Sequence, residues 1–279
     1  MYISVLSGKG GTGKTLISTS FALSLENSTY IDLDVEAPNG AFFIKPDIKD
    51  EIVFNVPVPE IDESICTFCK KCSDACTYSA ISIIPTVKKA LVFPDLCHSC
   101  GVCSHVCPVE GAITEVDKEI GKIRIGEREH VRFIEGRIKI GEPSAVPLIS
   151  GIVEEYVDFF RVNIVDSPPG SSCPVVESIK KCDYAILVTE PTPFGLSDLK
   201  LVVEMTKDMG KPAGVVINKY RSDFYELYEY LRKCDIPVVM KIPYSMEIQK
   251  MYSRGVPLID ILPNIKDDFK ALYERIKNG

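Results

Sequence analysis

Short apolar runs alternate with amphipathic stretches along most of the chain. The first apolar run, Tyr2–Leu6, predicts a buried strand, and the spacing of residues 14–25 predicts the helix that follows it. Residues 30–34 predict a second strand, and the same strand–helix rhythm returns from about residue 146. This alternation predicts an α/β fold whose mostly parallel sheet is covered by helices on both faces.

The second half of the chain supplies the other predicted elements of this sheet. Apolar strands are predicted at residues 162–165, 184–188, 214–217 and 237–240. Amphipathic helices are predicted between them, for example at residues 196–209 and 224–233. Since neither flank of the middle region makes a complete α/β domain alone, the middle region is predicted to be an insertion.

The middle region has a different pattern from its flanks. It contains eight cysteines, followed by short alternating segments at residues 122–125 and 137–140 with glycines at hairpin-like intervals. We therefore predict a discontinuous α/β domain and one insertion, with a cysteine-rich core and a short β-rich segment. The predicted boundaries are 1–53 and 145–279 for the α/β domain, 54–144 for the insertion, about 60–116 for its core and about 117–143 for the β-rich segment.

The composition narrows the class of protein. The 279 residues are 46% hydrophobic and 25% charged, as in ordinary globular proteins, and no apolar run has the length of a membrane helix. The net charge of -7 argues against a nucleic-acid partner held by phosphate neutralisation. Most of the eleven cysteines fall into metal-ligand runs, which predicts a reducing, cytoplasmic location. The lack of an apolar run of membrane-helix length predicts no membrane insertion.

A glycine-rich loop follows the first strand and precedes the first helix. Such a loop turns tightly and directs backbone N–H groups at phosphate oxygens, while its lysine approaches the β- and γ-phosphates. The threonine after the lysine supplies a hydroxyl to Mg²⁺. The predicted nucleotide-binding residues of this loop are Gly8, Lys9, Gly10, Gly11, Thr12, Gly13, Lys14 and Thr15.

Lys9, just before the paired glycines, makes the loop resemble the deviant Walker motif of the MinD/ParA/NifH family of dimerising ATPases. The resemblance implies a homodimer joined through its nucleotide face. It also implies that Lys9 reaches the nucleotide of the partner subunit and neutralises transition-state charge there, as an arginine finger does. ATP or ADP with Mg²⁺ would be the bound cofactors.

Three later positions are similar to functional positions of the same family. Asp34 resembles the switch I aspartate that positions or activates the attacking water, and Asp166 resembles the switch II aspartate that holds Mg²⁺ through water. Asn218 follows a strand and resembles the base-recognition position, so it is the expected adenine contact. The expected catalytic residues are therefore Lys9, Lys14, Asp34 and Asp166. Thr15 and Asp166 are the residues expected to hold Mg²⁺.

Two four-cysteine runs carry the second candidate chemistry. Three cysteines at three-residue intervals bind three corners of a [4Fe-4S] cluster, and the fourth ligand comes from the other run. The expected ligands are Cys66, Cys69, Cys72 and Cys107 for one cluster, and Cys76, Cys97, Cys100 and Cys103 for the other. The region resembles a bacterial two-cluster ferredoxin domain, except that Thr77 stands where a proline usually follows the fourth cysteine.

The two motif sets together are similar to ATPases of the MinD superfamily with an inserted ferredoxin domain. We expect ATP to control electron transfer from the two clusters to a partner metalloprotein. One alternative is an ATP-dependent assembly factor or carrier of clusters, because residues 166–170 also resemble the Mrp/ApbC carriers. Another is a positioning protein in which the clusters only sense redox state.

Overall fold

The computed structural model describes residues 1–278 and divides the chain into two compact units. The first unit comprises residues 1–51, 123–137 and those from 149 onward. The second comprises residues 52–122 and 138–148. The strands are β1 Tyr2–Leu6, β2 Ser28–Asp32, β3 Asp47–Ile61, β4 Ile81–Ile84, β5 Lys89–Val92, β6 Ile113–Arg128, β7 Val131–Ile138, β8 Val162–Asp166, β9 Tyr184–Thr189, β10 Ala213–Tyr220 and β11 Val238–Pro243.

Helices follow most of the strands, as the alternating pattern predicts. None of them, within residues 1–278, is long and apolar enough to cross a membrane. The helices are α1 Lys14–Ser24, α2 Gly40–Ile44, α3 Lys71–Ala75, α4 Val102–Val106, α5 Val146–Tyr156, α6 Cys173–Ile179, α7 Pro193–Asp208, α8 Tyr225–Cys234, α9 Met246–Tyr252 and α10 Ile265–Asn278.

The mostly parallel sheet predicted from the sequence is confirmed. In the described residues the large sheet has the order β11-β10-β9-β1-β8-β2-β7-β6-β3, and the pairs from β11 to β7 are parallel. Parallel pairing aligns Asp32 at the end of β2 with Asp166 at the end of β8. Residues that follow these strands therefore meet at one edge of the sheet, where ligands bind in open α/β folds.

The core of the first unit explains why α1 is buried along its whole length. Its apolar side chains pack with those of β1 and α10 in one cluster, in which the rings of Phe21 and Phe269 stack with centroids 5.2 Å apart. Each buried aromatic or aliphatic side chain contributes about 1.5–3 kcal/mol of transfer free energy. The helix that follows the glycine-rich loop is thus anchored rigidly to the sheet.

The placement of β7 differs from the one expected from the sequence. Residues 54–144 were expected to form one insertion, but residues 123–137 belong to the first unit because β7 pairs in parallel with β2. Val131 and Phe133 of β7 are fully buried in the main core, and the Phe133 ring stacks on Tyr30 of β2. Burial of these side chains favours extension of the sheet over a separate β-rich segment.

The second unit has a much smaller apolar core. Its β4 and β5 form an antiparallel hairpin, and Ile81 and Ile83 of β4 are buried in one cluster with Cys72. The two helices α3 and α4 have only five residues each. A core of this size contributes less hydrophobic stabilisation than the main core does.

Candidate functional site

The glycine-rich loop connects β1 to α1 at the edge of the sheet. Gly13 has a φ of 92°, in the left-handed region that favours glycine. A side chain at Gly13 would overlap the amide of Asn218, and a side chain at Gly8 would overlap the backbone of Asp198. Glycine at these two positions is therefore required by the close approach of neighbouring segments.

Lys14 lies between two of the expected carboxylates. Its Nζ is 2.6 Å from Asp166 Oδ1 and 3.8 Å from Asp34 Oδ2, and Lys14 and Asp166 are both buried. Burial lowers the pKa of Lys14, but Asp166 and Asp34 outweigh that effect, and the pKa is raised. The loop thus holds a charged ammonium at the position where β- and γ-phosphates bind in this motif.

Two buried hydroxyls nearby have no hydrogen-bond partner within the described residues, Thr12 Oγ1 in the loop and Ser167 Oγ after Asp166. Buried polar atoms normally have partners, so these two are available to a ligand. The buried Thr15 and Asp166 offer the oxygen donors that Mg²⁺ prefers. The residues present therefore fit a magnesium nucleotide.

Whereas the side chain of Lys14 contacts Asp34 and Asp166, the side chain of Lys9 contacts α7 of its own chain. Its Nζ is 3.3 Å from Asp198 Oδ2 and 5.9 Å from the ring centroid of Phe194. Both partners of this ion pair are partly exposed, and pairs of that kind contribute at most about 1 kcal/mol. Such a contact holds Lys9 at the surface but releases it readily.

The side chain of Asn218 is buried and contacts the glycine-rich loop. Its Nδ2 donates to the Thr12 carbonyl at 2.6 Å, and its Oδ1 accepts from the Lys219 N–H at 2.9 Å. Lys219 in turn donates through Nζ to the Gly11 carbonyl and to Glu190. Asn218, expected after a strand, lies within β10 and braces the loop, a role that the sequence pattern did not indicate.

A cavity beside Asn218 is bordered by residues that the sequence analysis did not single out. Tyr244 and Ser245 follow the end of β11, and Ile248, Gln249 and Tyr252 belong to α9. Their common signal is that they lie after the carboxyl end of a parallel strand. The cavity is lined by Gly11, Gly13, Leu16, Asn218, Lys219, Pro243, Tyr244, Ser245, Ile248, Gln249 and Tyr252. Its mixture of apolar walls and a few polar groups suits a nucleobase.

Cysteines in the second unit gather into the two sets expected from the sequence. Cys66, Cys69 and Cys72 of the first run line one cavity together with Cys107 of the second run. Cys97, Cys100 and Cys103 of the second run line another cavity together with Cys76 of the first. Each run thus provides three thiols to its own cavity and one thiol to the other.

The backbone of the two runs repeats the same geometry. Phe68 and Ser99 have φ values of 53° and 55°, and each donates its N–H to the sulfur of the cysteine two residues earlier, at 3.4 Å. Lys70 and Gly101 follow with φ values of 68° and 70°. A left-handed lysine is unfavourable in a free chain, so both loops are held in a specific shape around their thiols.

The two cavities fit polynuclear clusters by the chemistry of their linings. Within residues 1–278, no three His, Cys, Asp or Glu side chains come together as ligands of a metal ion. A four-iron cluster is larger than one ion and is held at its corners by four thiolates, so thiols on the walls of a cavity match it. Cys173, Cys182 and Cys234 line neither cavity.

Comparison with known proteins gives a family and a fold. Residues 3–258 match the CobQ/CobB/MinD/ParA nucleotide binding domain. The uncharacterized protein MJ0578 of Methanocaldococcus jannaschii is 31% identical over 288 residues, covering 99% of this chain and 96% of that protein. MinD of Pyrococcus horikoshii, solved with Mg-ADP, has a TM-score of 0.59 and 20% identity, covering 99% of this chain and 95% of that one.

Two partial matches have iron–sulfur or redox names. A stretch of 54 residues, 19% of this chain and 8% of the relative, is 43% identical to the indolepyruvate oxidoreductase subunit IorA of Pyrococcus abyssi. A stretch of 154 residues is 21% identical to the iron-sulfur cluster carrier protein of Methanocaldococcus jannaschii, covering 47% of this chain and 52% of that one.

Proposed function

Because the chain belongs to the CobQ/CobB/MinD/ParA family of nucleotide-binding domains, we propose that it binds and hydrolyses ATP to control electron transfer. The electrons would pass between two [4Fe-4S] clusters in the second unit and a partner metalloprotein. The active form would be a homodimer joined through the nucleotide face. Binding of Mg-ADP by the structurally similar MinD of Pyrococcus horikoshii supports the nucleotide part of this proposal.

The grouping of the eight cysteines is the observation that carries the redox part. Each cavity is lined by three thiols from one run and a fourth thiol from the other run. The same crossed arrangement of ligands is found in two-cluster ferredoxins. When bound, each cluster would supply one-electron chemistry whose potential depends on charge, hydrogen bonds and solvent exposure. The partial likeness to an oxidoreductase subunit also favours a redox role.

The first unit supplies residues for each requirement of phosphoryl transfer. Lys14 provides a positive charge for the phosphates, and Asp34 orients the attacking water. Thr15 and Asp166 would hold Mg²⁺, which supplies charge stabilisation when bound. Lys9 acts on the partner subunit's nucleotide, and it must first leave Asp198.

The role proposed for Asp34 gives a pH dependence. Burial raises the pKa of Asp34 to about 6, and the nearby Lys14 opposes that rise. A raised carboxyl pKa means that the proton stays bound to a higher pH, so the reactive carboxylate is lost as the pH falls through about 6. We expect ATP turnover to fall in the same range.

Steady-state rates measured between about pH 5 and pH 8 check this expectation. Asp34→Asn is the comparison variant, because it keeps the shape of the side chain and removes the titrating group. Its turnover is expected to be low and independent of pH in this range. A wild-type rate that does not change across pH 6 would remove the carboxylate from the mechanism.

A second candidate function is delivery of the clusters themselves to other proteins. The partial match to an iron-sulfur cluster carrier protein favours it. The arrangement of the remaining cysteines disfavours it, because Cys173, Cys182 and Cys234 include no Cys-x-x-Cys pair that could hold a labile cluster between subunits. The eight other thiols form two complete four-ligand sets, which suits clusters that stay bound.

An anaerobic transfer assay separates the two functions. The reconstituted protein is incubated with an apo-ferredoxin and Mg-ATP, and the iron content of both proteins is measured after separation. Electron delivery predicts that the iron stays with this protein. Transfer of iron and sulfide to the acceptor, dependent on ATP, would favour cluster delivery and reject the proposed function.

A further inference from the structure

Tyr30 brings a polar group into the main core at the expected metal site. It lies in the middle of β2, its side chain is fully buried, and its hydroxyl donates to Asp166 Oδ2 at 3.2 Å. Apolar side chains surround it in the same core cluster. A phenylalanine could fill this volume, so the hydroxyl needs an explanation beyond packing.

The position of the Tyr30 hydroxyl is fixed by contacts on two sides. The ring stacks on Phe133 of β7, with centroids 5.8 Å apart and an angle of 14° between the planes. A side chain at Gly40, the first residue of α2, would overlap the Tyr30 ring and hydroxyl. The hydroxyl therefore has little room to turn away from Asp166.

The two oxygens of Asp166 have different partners. Oδ1 accepts from the Lys14 ammonium at 2.6 Å, whereas Oδ2 accepts from Tyr30. In the proposed function Lys14 serves the phosphates, which leaves Oδ1 without its present partner. The hydrogen bond from Tyr30 to Oδ2 does not involve the nucleotide and can persist in both states.

We propose that Tyr30 is a positioning residue for the magnesium site. Its hydroxyl holds Oδ2 of Asp166 and so reserves Oδ1, in a fixed direction, for the metal and its bound water. This inference rests on the proposed function, because it takes Asp166 as the metal-binding carboxylate. Groups that orient a metal ligand typically change metal affinity or activity by roughly 10–100-fold when removed.

Tyr30→Phe tests the role, because it keeps the ring and removes only the hydroxyl. The matched control is Tyr2→Phe: Tyr2 is also buried, lies in β1, and donates its hydroxyl to the Ser178 carbonyl, away from the metal site. ADP binding is measured by calorimetry at a series of Mg²⁺ concentrations and in EDTA. Unfolding temperatures are recorded for each variant.

The Mg²⁺ midpoint is the Mg²⁺ concentration at which half of the metal-dependent gain in ADP affinity is reached. We expect this midpoint to rise roughly tenfold in Tyr30→Phe and to stay unchanged in Tyr2→Phe. ADP affinity in EDTA should be equal in all three proteins. Should Tyr30→Phe fail to fold, Phe133→Leu replaces it, because loss of the stacked ring frees the hydroxyl. A midpoint that rises in this variant supports the role, and an unchanged midpoint overturns it.

Three further results would overturn the inference, each for a different reason. Equal Mg²⁺ midpoints in the wild type and Tyr30→Phe would show that the hydroxyl does not position the metal ligand. A similar rise in Tyr2→Phe would show a general effect of lost core hydroxyls. Wild-type ADP binding that does not depend on Mg²⁺ would instead reject Asp166 as a metal residue, and with it the one part of the proposed function on which this inference rests.

Discussion

Replacing Lys9 with alanine is expected to lower ATP turnover by about 10³-fold or more while nucleotide binding is kept. Lys9 pairs with Asp198 of its own chain, whereas Lys14 pairs with Asp166, so removal of the Lys9 side chain leaves the ion pair of Lys14 intact. The lost charge would be the one that neutralises the transition state in the partner subunit. Turnover and the dissociation constant of ADP are the two measurements.

Lys200→Ala is the matched control for this prediction. Lys200 is also an exposed lysine of the first unit with its Nζ over an aromatic ring, that of Tyr230, and it has no proposed part in the reaction. Its turnover should equal that of the wild type. Normal turnover in Lys9→Ala would contradict the assignment of Lys9 as a catalytic residue.

Action across the dimer can be tested with a mixture of two inactive variants. Lys9→Ala and Asp34→Ala each lack one group, and a mixed dimer contains one site in which both groups are present. With random pairing, half of the dimers are mixed and one of their two sites is complete, so activity should recover to about a quarter of the wild-type value. No recovery would mean that Lys9 acts within its own subunit.

The second large effect is a loss of bound iron, and it tests whether each cysteine run provides the fourth ligand of the other run's cluster. Cys66 and Cys107 line one cavity, whereas Cys76 lines the other. The double variant Cys66→Ser/Cys107→Ser should therefore lose one cluster and keep about four of about eight irons per chain. Cys66→Ser/Cys76→Ser should lose both clusters, although it also changes only two thiols.

Iron and sulfide are counted after anaerobic reconstitution of each variant. Cys173→Ser is the control, because Cys173 is exposed and lines neither cavity, and it should retain the wild-type iron content. If Cys66→Ser/Cys76→Ser keeps about four irons and Cys66→Ser/Cys107→Ser loses all of them, the fourth ligand of each cluster comes from its own run and not from the other. The proposed ligand sets would then be wrong.

Much of the fold follows from local sequence patterns. The strand Tyr2–Leu6, the glycine-rich loop and the helix from Lys14 are adjacent in the chain, and each has a pattern that chemistry restricts strongly. The first three thiols of each cysteine set also follow from their three-residue spacing. These features needed no knowledge of distant contacts, whereas the fourth thiol of each set comes from the other run and was expected from the ligand pattern of two-cluster ferredoxins.

Features that depend on long-range packing were not predictable in the same way. The pairing of β7 with β2 depends on Phe133 reaching the core beside Tyr30, from about a hundred residues away. The placement of Lys9 on Asp198 depends on the close approach of α7 to Gly8. Asn218 lies at the expected edge of the sheet, but only the folded loop shows that its amide braces Thr12.

The central claim is that the nucleotide controls the clusters, and an anaerobic redox titration followed by electron paramagnetic resonance tests it most directly. The reconstituted protein is titrated without nucleotide, with Mg-ADP and with a non-hydrolysable ATP analogue. We expect the analogue to shift at least one cluster potential, and a shift of about 59 mV would change a one-electron equilibrium tenfold. Identical potentials and line shapes in all three states would contradict nucleotide control of the clusters.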